Sequence, residues 1–302
     1  MKYRFHTADV FTNRIFGGNP LAVFPDARGL DGSRMQQIAT EFNLSETVFV
    51  FPPDDPAHTR RLRIFTPAAE VPFAGHPTVG VAHVLASLGE LTGDVESHVV
   101  FEEGVGAVPV TIRWHERAPV FCQLSVAKLP EVGPRPPTRA SVAAMLSLDV
   151  RDLVSGTNVS EAVSCGLPFL FVPVRDRECI ARAQVRMDLW SDKFRNYWAP
   201  QVMVFSRDPE LQGSDVRARV FVPGLSVPED PATGSAAAAL GGYLGARDDM
   251  REGRLCYRVE QGFEMGRPSL IDIEVEKRGG AITTIRVGGE SVMVSSGEME
   301  VP

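Results

Sequence analysis

Two segments of this chain are apolar almost all round and carry mostly small side chains: PTVGVAHVLASL at residues 77–88 and SAAAALGGYL at residues 235–244. A helix that is apolar on every face must be buried on every face. Small side chains let surrounding strands approach closely, so the economical arrangement is a curved sheet wrapped around each helix. Gly89 and Gly245 are placed to end the two helices as left-handed residues.

The rest of the chain favours strands. The 27 glycines and 23 prolines among 302 residues imply many turns. Short runs rich in Val, Ile and Phe recur between Gly, Pro or Asp residues. One further segment, residues 33–42, has the spacing of an amphipathic helix. The expected fold class is therefore α+β, with mixed sheets and few helices.

An internal repeat appears when the chain is shifted by 156 residues. RIFTPAAEVP at residues 63–72 then lies over RVFVPGLSVP at 219–228, and the match continues into the two apolar helices. A single duplication predicts two similar domains related by a pseudo-two-fold axis rather than a solenoid. Ligand sites favour the cleft between such domains. The proline-rich stretch at residues 129–138 is a candidate connection between the halves.

The loops before the two apolar helices carry the candidate chemistry. The first reads FAGHPT, with Gly75 and His76, and the second reads EDPATGS, with Asp230, Gly234 and Ser235. Each offers free backbone N–H groups at a helix start, which favour a carboxylate or another anion. Either turn alone is more often a simple glycine turn before a helix. Because the turn is duplicated and His76 and Asp230 lie in the two loops, a functional site at these turns is favoured.

A third element is NLSET, which contains Ser45 and Glu46. It is expected at a turn between the amphipathic helix and a strand, where a side chain can point into a cleft. Taken alone, Glu46 would more readily be read as an exposed surface glutamate, because most glutamates are solvated.

Together these motifs resemble the phenazine-biosynthesis PhzF-like isomerase family. The resemblance rests on DVFTNRIFGGNPLAVF, NLSET, TPAAEVPFAGHPT, DPATGSAAAAL and QGFEMGRPS, and extends from residue 9 to about residue 287. It implies a diaminopimelate-epimerase-like fold with two half-barrel domains, each a curved mixed sheet around a central helix. The last segment returns to the first domain, so the expected domains are residues 1–118 plus about 286–302, and residues 119–285.

The resemblance also implies roles for individual residues. It makes Glu46 the acid/base carboxylate, acting with His76 and Asp230, and assigns substrate binding to Ser45, Gly75, Gly234 and Ser235. Related epimerases carry a cysteine before each glycine turn, where this chain has Ala74 and about Pro231, so two-thiol stereoinversion is excluded. The family implies a cofactor-independent isomerase that moves a proton or double bond in a small carboxylate-bearing metabolite, and a homodimer.

Composition narrows the alternatives. The net charge of −7 argues against nucleic acid and anionic membranes as partners. The four cysteines lack CxxC spacing and the histidines are dispersed, so no disulfide framework and no metal site are expected, and a cytoplasmic location fits. TGSAA is not a nucleophile elbow, which disfavours a hydrolase. A non-catalytic small-molecule binding or interaction protein on the same scaffold remains the alternative.

Overall fold

The computed structural model describes residues 1–225 and 227–302, which form two compact units. Unit 1 comprises Met1–Ser125 and Gly288–Pro302, and unit 2 comprises Val126–Val287. Among the described residues, no helix is both long and apolar enough to cross a membrane.

Unit 1 is a mixed sheet with two helices. Its elements are β1 (Lys2–Val10), β2 (Asn19–Phe24), α1 (Gly32–Phe42), β3 (Glu46–Phe51), β4 (Arg60–Phe65), β5 (Glu70–Val71), α2 (Gly75–Ser87), β6 (Glu96–Glu103), β7 (Gly106–His115), β8 (Ala118–Ser125) and β18 (Ser291–Glu300). The strands pair in the order β18–β1–β2–β3–β4–β6–β7–β8, with β2–β3 and β4–β6 parallel and the other pairs antiparallel. Helix α2 packs against β1, β2, β3, β7, β8 and β18, so the sheet curves around it.

Unit 2 repeats this plan. Its elements are β9 (Glu131–Val132), α3 (Arg139–Met145), β10 (Glu161–Ser164), β11 (Pro168–Pro173), α4 (Arg177–Arg182), α5 (Met187–Lys193), β12 (Gln201–Ser206), β13 (Val216–Val222), β14 (Val227–Asp230), α6 (Gly234–Gly245), β15 (Gly253–Gln261) and β16 (Ser269–Arg278); β17 (Ala281–Gly289) carries the chain back to unit 1. The pairs β11–β12 and β13–β15 are parallel, whereas β10–β11, β12–β13 and β15–β16 are antiparallel. Helix α6 packs against β10, β11, β15 and β16. The same alternation of pairings in both units confirms the predicted pseudo-symmetric α+β fold.

Matching ion pairs show that the repeat extends to side chains. Arg63 makes a two-pronged bond to Glu70, with both N···O distances 2.7 Å. Arg219, its counterpart at the offset of 156, holds Glu229 in the same way at 2.8 Å for both contacts. Because the paired fork fixes a planar geometry, each bond ties β4 or β13 to the segment that leads into the buried helix.

Both apolar helices are buried on every face, as predicted. Residues 75–86 of α2 are all buried, and so is α6 apart from Ser235. Close packing requires small residues: a Cβ on Gly80 would lie 2.5 Å from Leu21 Cδ2. The predicted helix ends differ in outcome. Gly89 has the left-handed φ of +76°, but Gly245 lies inside α6, which ends at Ala246 in right-handed geometry, so that prediction was wrong.

The division between the units differs from the predicted one. The sequence placed the change of domain between residues 118 and 119 and the return near 286. In the structure β8 belongs to unit 1, because its residues continue the antiparallel ladder of β7, with Val110 opposite Leu124 and Ile112 opposite Cys122. Unit 2 therefore begins at Val126 and ends at Val287.

Candidate active site

Glu46 is the first residue of β3 and follows a short turn after the end of α1. Asn43 ends α1 in the left-handed conformation, with φ of 50° and ψ of 31°, and its N–H donates to the Ala39 carbonyl. Asparagine tolerates this conformation better than most residues. The chain then turns through Leu44 and half-buried Ser45 into β3, and the Glu46 side chain is only 18% exposed. The reading of Glu46 as an ordinary surface glutamate is therefore wrong.

His76 lies in the first turn of α2, and its side chain lies beside that of Glu46. Its Nε2 is 3.3 Å from Glu46 Oε2, although 30 residues separate the two in sequence. Burial lowers the pKa of His76 to about 3, so the imidazole is neutral at physiological pH. The pair is therefore a carboxyl group beside a neutral imidazole, which can donate or accept a hydrogen bond according to its tautomer.

Gly75, also a predicted site residue, is the buried first residue of α2 in unit 1. The other predicted site residues lie together in unit 2, at the start of α6. Asp230 ends β14, and its Oδ2 accepts a hydrogen bond of 2.5 Å from Thr233 Oγ1. Thr233 is the residue before the helix, Gly234 is its buried first residue, and Ser235 is half-buried. Thr233 thus takes the place in unit 2 that Ala74 takes before α2, rather than Pro231 as the sequence suggested. The prediction that both turns serve one ligand stays a prediction.

The QGFEMGRPS motif supports the turn before α6. Gln261 Nε2 donates to the Asp230 carbonyl at 2.7 Å and to Thr233 Oγ1 at 3.0 Å, and Gln261 Oε1 accepts from the Thr233 N–H at 3.2 Å. Ser269 Oγ donates to the Pro231 carbonyl at 2.9 Å. In the sequence this motif contributes only to the family resemblance, whereas in the structure it fixes the backbone around Asp230.

Two cavities lie away from these residues. One, in unit 2, has a volume of about 280 Å³ and is lined by Arg207, Arg247, Tyr243 and Tyr257 among others. The other, in unit 1, has a volume of about 780 Å³ and a rim of mixed charge that includes Lys2, Arg4 and Glu298. Neither contains any predicted site residue. Glu46 and His76 remain the candidate residues, because a largely buried carboxyl beside a buried imidazole is a far more specific arrangement for proton transfer than a large opening.

Across residues 1–225 and 227–302, no three His, Cys, Asp or Glu side chains come together in a way that could hold a metal ion. The four cysteines are free, and burial raises the pKa of Cys122 and of Cys165 to about 12. None of the four belongs to either turn.

Comparison with known proteins identifies the class. Residues 8–297 match the model of a family described as phenazine biosynthesis-like protein. An uncharacterized isomerase of Mesorhizobium japonicum is 41% identical over 295 residues, with 96% of each chain covered. The trans-2,3-dihydro-3-hydroxyanthranilate isomerase of Pseudomonas aeruginosa is 31% identical over 304 residues, with 98% of each chain covered.

A solved structure shares the fold. The phenazine biosynthesis protein of the PhzF family from Bacillus anthracis superposes with a TM-score of 0.89 and 24% identity, and the match covers 100% of both chains. The fold and the relatives define an isomerase. The chain belongs to the phenazine biosynthesis-like, or PhzF, family, as the sequence motifs implied.

Proposed function

We propose that the protein moves a proton, and with it a double bond, within a small carboxylate-bearing metabolite, using Glu46 as the acid/base. The observation that carries the proposal is the Glu46–His76 pair: a largely buried carboxyl whose Oε2 lies 3.3 Å from a neutral imidazole. A carboxyl group beside a neighbour that carries no net charge can take up a proton and release it without breaking an ion pair with that neighbour.

The reaction balances without an oxidant or reductant. Glu46 removes a proton from an activated carbon, and the electron pair of the broken C–H bond moves into the neighbouring conjugated system. The protonated Glu46 then delivers the proton to a second carbon, so substrate and product are isomers. His76 holds the carboxyl in place during both steps. The family membership of the chain supports isomerisation as the reaction class.

The substrate class follows from the turns before the helices. Backbone N–H groups at the starts of α2 and α6 suit a carboxylate, and they stabilise negative charge that develops during proton removal. Asp230 is fixed by Thr233 and suits an amino or hydroxyl group of the substrate. The Pseudomonas aeruginosa relative is named for a substrate that carries all three groups. We extend this class, a cyclic amino- or hydroxy-acid with conjugated double bonds, to the present chain.

The proposed role of Glu46 is tested with the variant Glu46→Gln. Glu41→Gln is the control, because Glu41 is an exposed glutamate in α1. Candidate dihydro-hydroxyanthranilate and related carboxylates are incubated with each protein, and isomers are quantified by NMR. Glu46→Gln keeps the shape of the side chain but removes the acid/base, so turnover should fall by about 10²- to 10⁴-fold. Glu41→Gln should match the wild type.

Unchanged turnover in Glu46→Gln would remove Glu46 from the reaction. Saturable binding of such acids by the wild type, with no isomer formed from any of them, would favour the alternative of a non-catalytic binding protein. The homodimer and the cytoplasmic location implied by the resemblance remain proposals; sedimentation of the purified protein tests the first.

A further inference from the structure

Glu102 and Glu103, at the end of β6, are neighbours in sequence with opposite surroundings. Glu102 accepts hydrogen bonds from the backbone N–H groups of Asp54 and Asp55, at 2.8 and 2.7 Å, which lower its pKa to about 2. Glu103 points to the other side of the strand, is 8% exposed, and contacts Thr78 in the first turn of α2. Burial raises the pKa of Glu103 to about 8, although the bond from Thr78 lowers it in part.

The Thr78 hydroxyl has one proton but contacts two oxygen atoms, and only a protonated Glu103 makes both contacts hydrogen bonds. Thr78 Oγ1 lies 2.7 Å from Glu103 Oε1 and 2.8 Å from the carbonyl oxygen of Ala74, the residue before α2. Both are normal O–H···O distances, but a threonine hydroxyl has one proton. If Glu103 is ionised, one of the two contacts has no proton. If Glu103 is protonated, it donates to Thr78 and Thr78 donates to Ala74, so both contacts are hydrogen bonds.

The second carboxyl oxygen points to the same state. Glu103 Oε2 is buried, and no hydrogen-bond partner lies within reach of it among the residues that the structure describes. A carboxylate would leave negative charge on this oxygen with no donor, which costs far more than leaving an uncharged carbonyl oxygen there.

Unit 2 has a neutral donor at the corresponding position. In the strand register, Arg61 on β4 lies opposite Glu102 on β6, and Arg217 on β13 lies opposite Glu260 on β15. Arg61 and Arg217 are equivalent in the repeat, so the next residues along the strands, Glu103 and Gln261, also correspond. Gln261 donates to Thr233 Oγ1, which donates to Asp230. Each unit therefore runs a chain of hydrogen bonds from the end of a strand, through a threonine hydroxyl, to an oxygen beside a helix start. An amide and a protonated carboxyl have the same shape and both donate.

We propose that Glu103 is a positioning residue, held as a neutral carboxylic acid, whose proton completes the hydrogen-bond chain to Thr78 and Ala74 and so fixes the turn that presents His76 to Glu46. Ionisation of Glu103 removes that bond and loosens the turn. The fixed His76 matters for catalysis only within the proposed function, whereas the protonation state of Glu103 does not depend on it.

Buried or half-buried titratable and charged groups on the elements packed around α2 and β6 include Asp9 on β1, Glu46 on β3, Arg60 on β4, His76 and His83 on α2, and Cys122 on β8. Burial lowers the pKa of His83 to about 4, that of His76 is about 3, and that of Cys122 is about 12, so none of these three changes charge between about pH 6 and pH 9. Arg60 is paired with Glu90. The contributions of Asp9 and Glu46 are common to the wild type and a Glu103 variant, and they cancel in a comparison of the two.

The first test measures unfolding by urea from about pH 5 to pH 9 in the wild type, Glu103→Gln and Glu96→Gln. Glu96 is exposed at the far end of the same strand and serves as the control. The folded protein keeps a proton on Glu103 that the unfolded chain loses above its ordinary pKa of 4.5, so stability falls as the pH rises from there toward 8. The unfolding constant of the wild type should rise, relative to that of Glu103→Gln, by up to about tenfold per pH unit in this interval and then level off. Parallel curves for the two proteins would overturn the proposal.

The second test needs no variant. In protein labelled with ¹³C at glutamate carboxyl carbons, one resonance should titrate near pH 8, and Glu103→Gln assigns it. If Glu103→Gln does not fold, the wild-type titration decides alone: the absence of any glutamate carboxyl that titrates between about pH 7 and pH 9 contradicts a neutral Glu103.

Activity on an accepted substrate then separates this proposal from the proposed function. Glu103→Gln should keep kcat within about threefold at pH 7 and lose the alkaline fall in kcat that the wild type shows near pH 8, because the amide donates at every pH. Thr78→Val breaks the chain and should lower kcat more than it changes KM. A shifted unfolding profile without any isomerase activity would refute only the function, whereas an inactive Glu46→Gln with parallel unfolding profiles would refute only the role of Glu103.

Discussion

At the scale of single residues, Gly262 allows the loop that begins at residue 262 to pack against the turn before α6. Its φ is +76°, and a Cβ there would lie 2.5 Å from the carbonyl oxygens of both Pro231 and Arg267. Backbone oxygens cannot rotate away as a flexible side chain can. The glycine therefore lets the QGFEMGRPS motif reach the backbone beside Asp230, and any side chain would push the two loops apart.

A pair of alanine substitutions tests this close approach. Gly262→Ala should destabilise the protein by about 2–4 kcal/mol, because strain at positive φ adds to the clash with Pro231. Gly266 is the matched control: it also has positive φ, at +69°, but a Cβ there meets nothing within 4 Å. Gly266→Ala should cost only about 1 kcal/mol. Equal losses in chemical denaturation would show that the contact with Pro231 is not limiting.

At the scale of elements, the two buried helices were the most predictable parts of the chain. Their uniform apolar pattern located α2 and α6 to within two residues at each end, because only burial on all sides explains it. The three short helices of unit 2 were missed. Each has six or seven residues, too few to display a periodic face, and two of them begin at Thr138 and Asp176 caps that also suit an ordinary turn.

The packing around α6 gives a prediction for the element. Ala237 is fully buried, so Ala237→Leu has no space for the larger side chain and should destabilise the protein by about 1–3 kcal/mol or more. Ala140 lies exposed in α3, and Ala140→Leu should change the free energy of unfolding by less than about 0.5 kcal/mol. Thermal and urea denaturation compare the two. A wild-type stability for Ala237→Leu would mean that α6 has a free face and that the sheet does not enclose it.

At the scale of the whole molecule, the duplication explains which parts of the site could be predicted from sequence. Glycine turns before apolar helices are visible in both halves, and Glu46 and His76 were assigned through the family motifs before the structure placed them 3.3 Å apart. Glu103 could not be found in this way. Adjacent glutamates at a strand end look equally solvated in a sequence, and only the alternation of the strand shows which of them faces the helix. Alignment of the two halves at the constant offset of 156 also hides the match between Glu103 and Gln261. Unit 2 has two more residues than unit 1 between the matched arginines and these strand ends, so the offset changes before Gln261 is reached.

The incorporation of deuterium from the solvent shows whether Glu46 carries the proton between two carbons. An accepted carboxylate substrate is incubated in heavy water with the wild type or Glu46→Gln, and NMR follows the carbon that gains a hydrogen. The acid proton on Glu46 exchanges with the solvent between the two steps, so the wild type should place deuterium at that carbon, and Glu46→Gln should do so at least about 100-fold more slowly. Deuterium entering at the same rate with both proteins would show that Glu46 does not carry the proton.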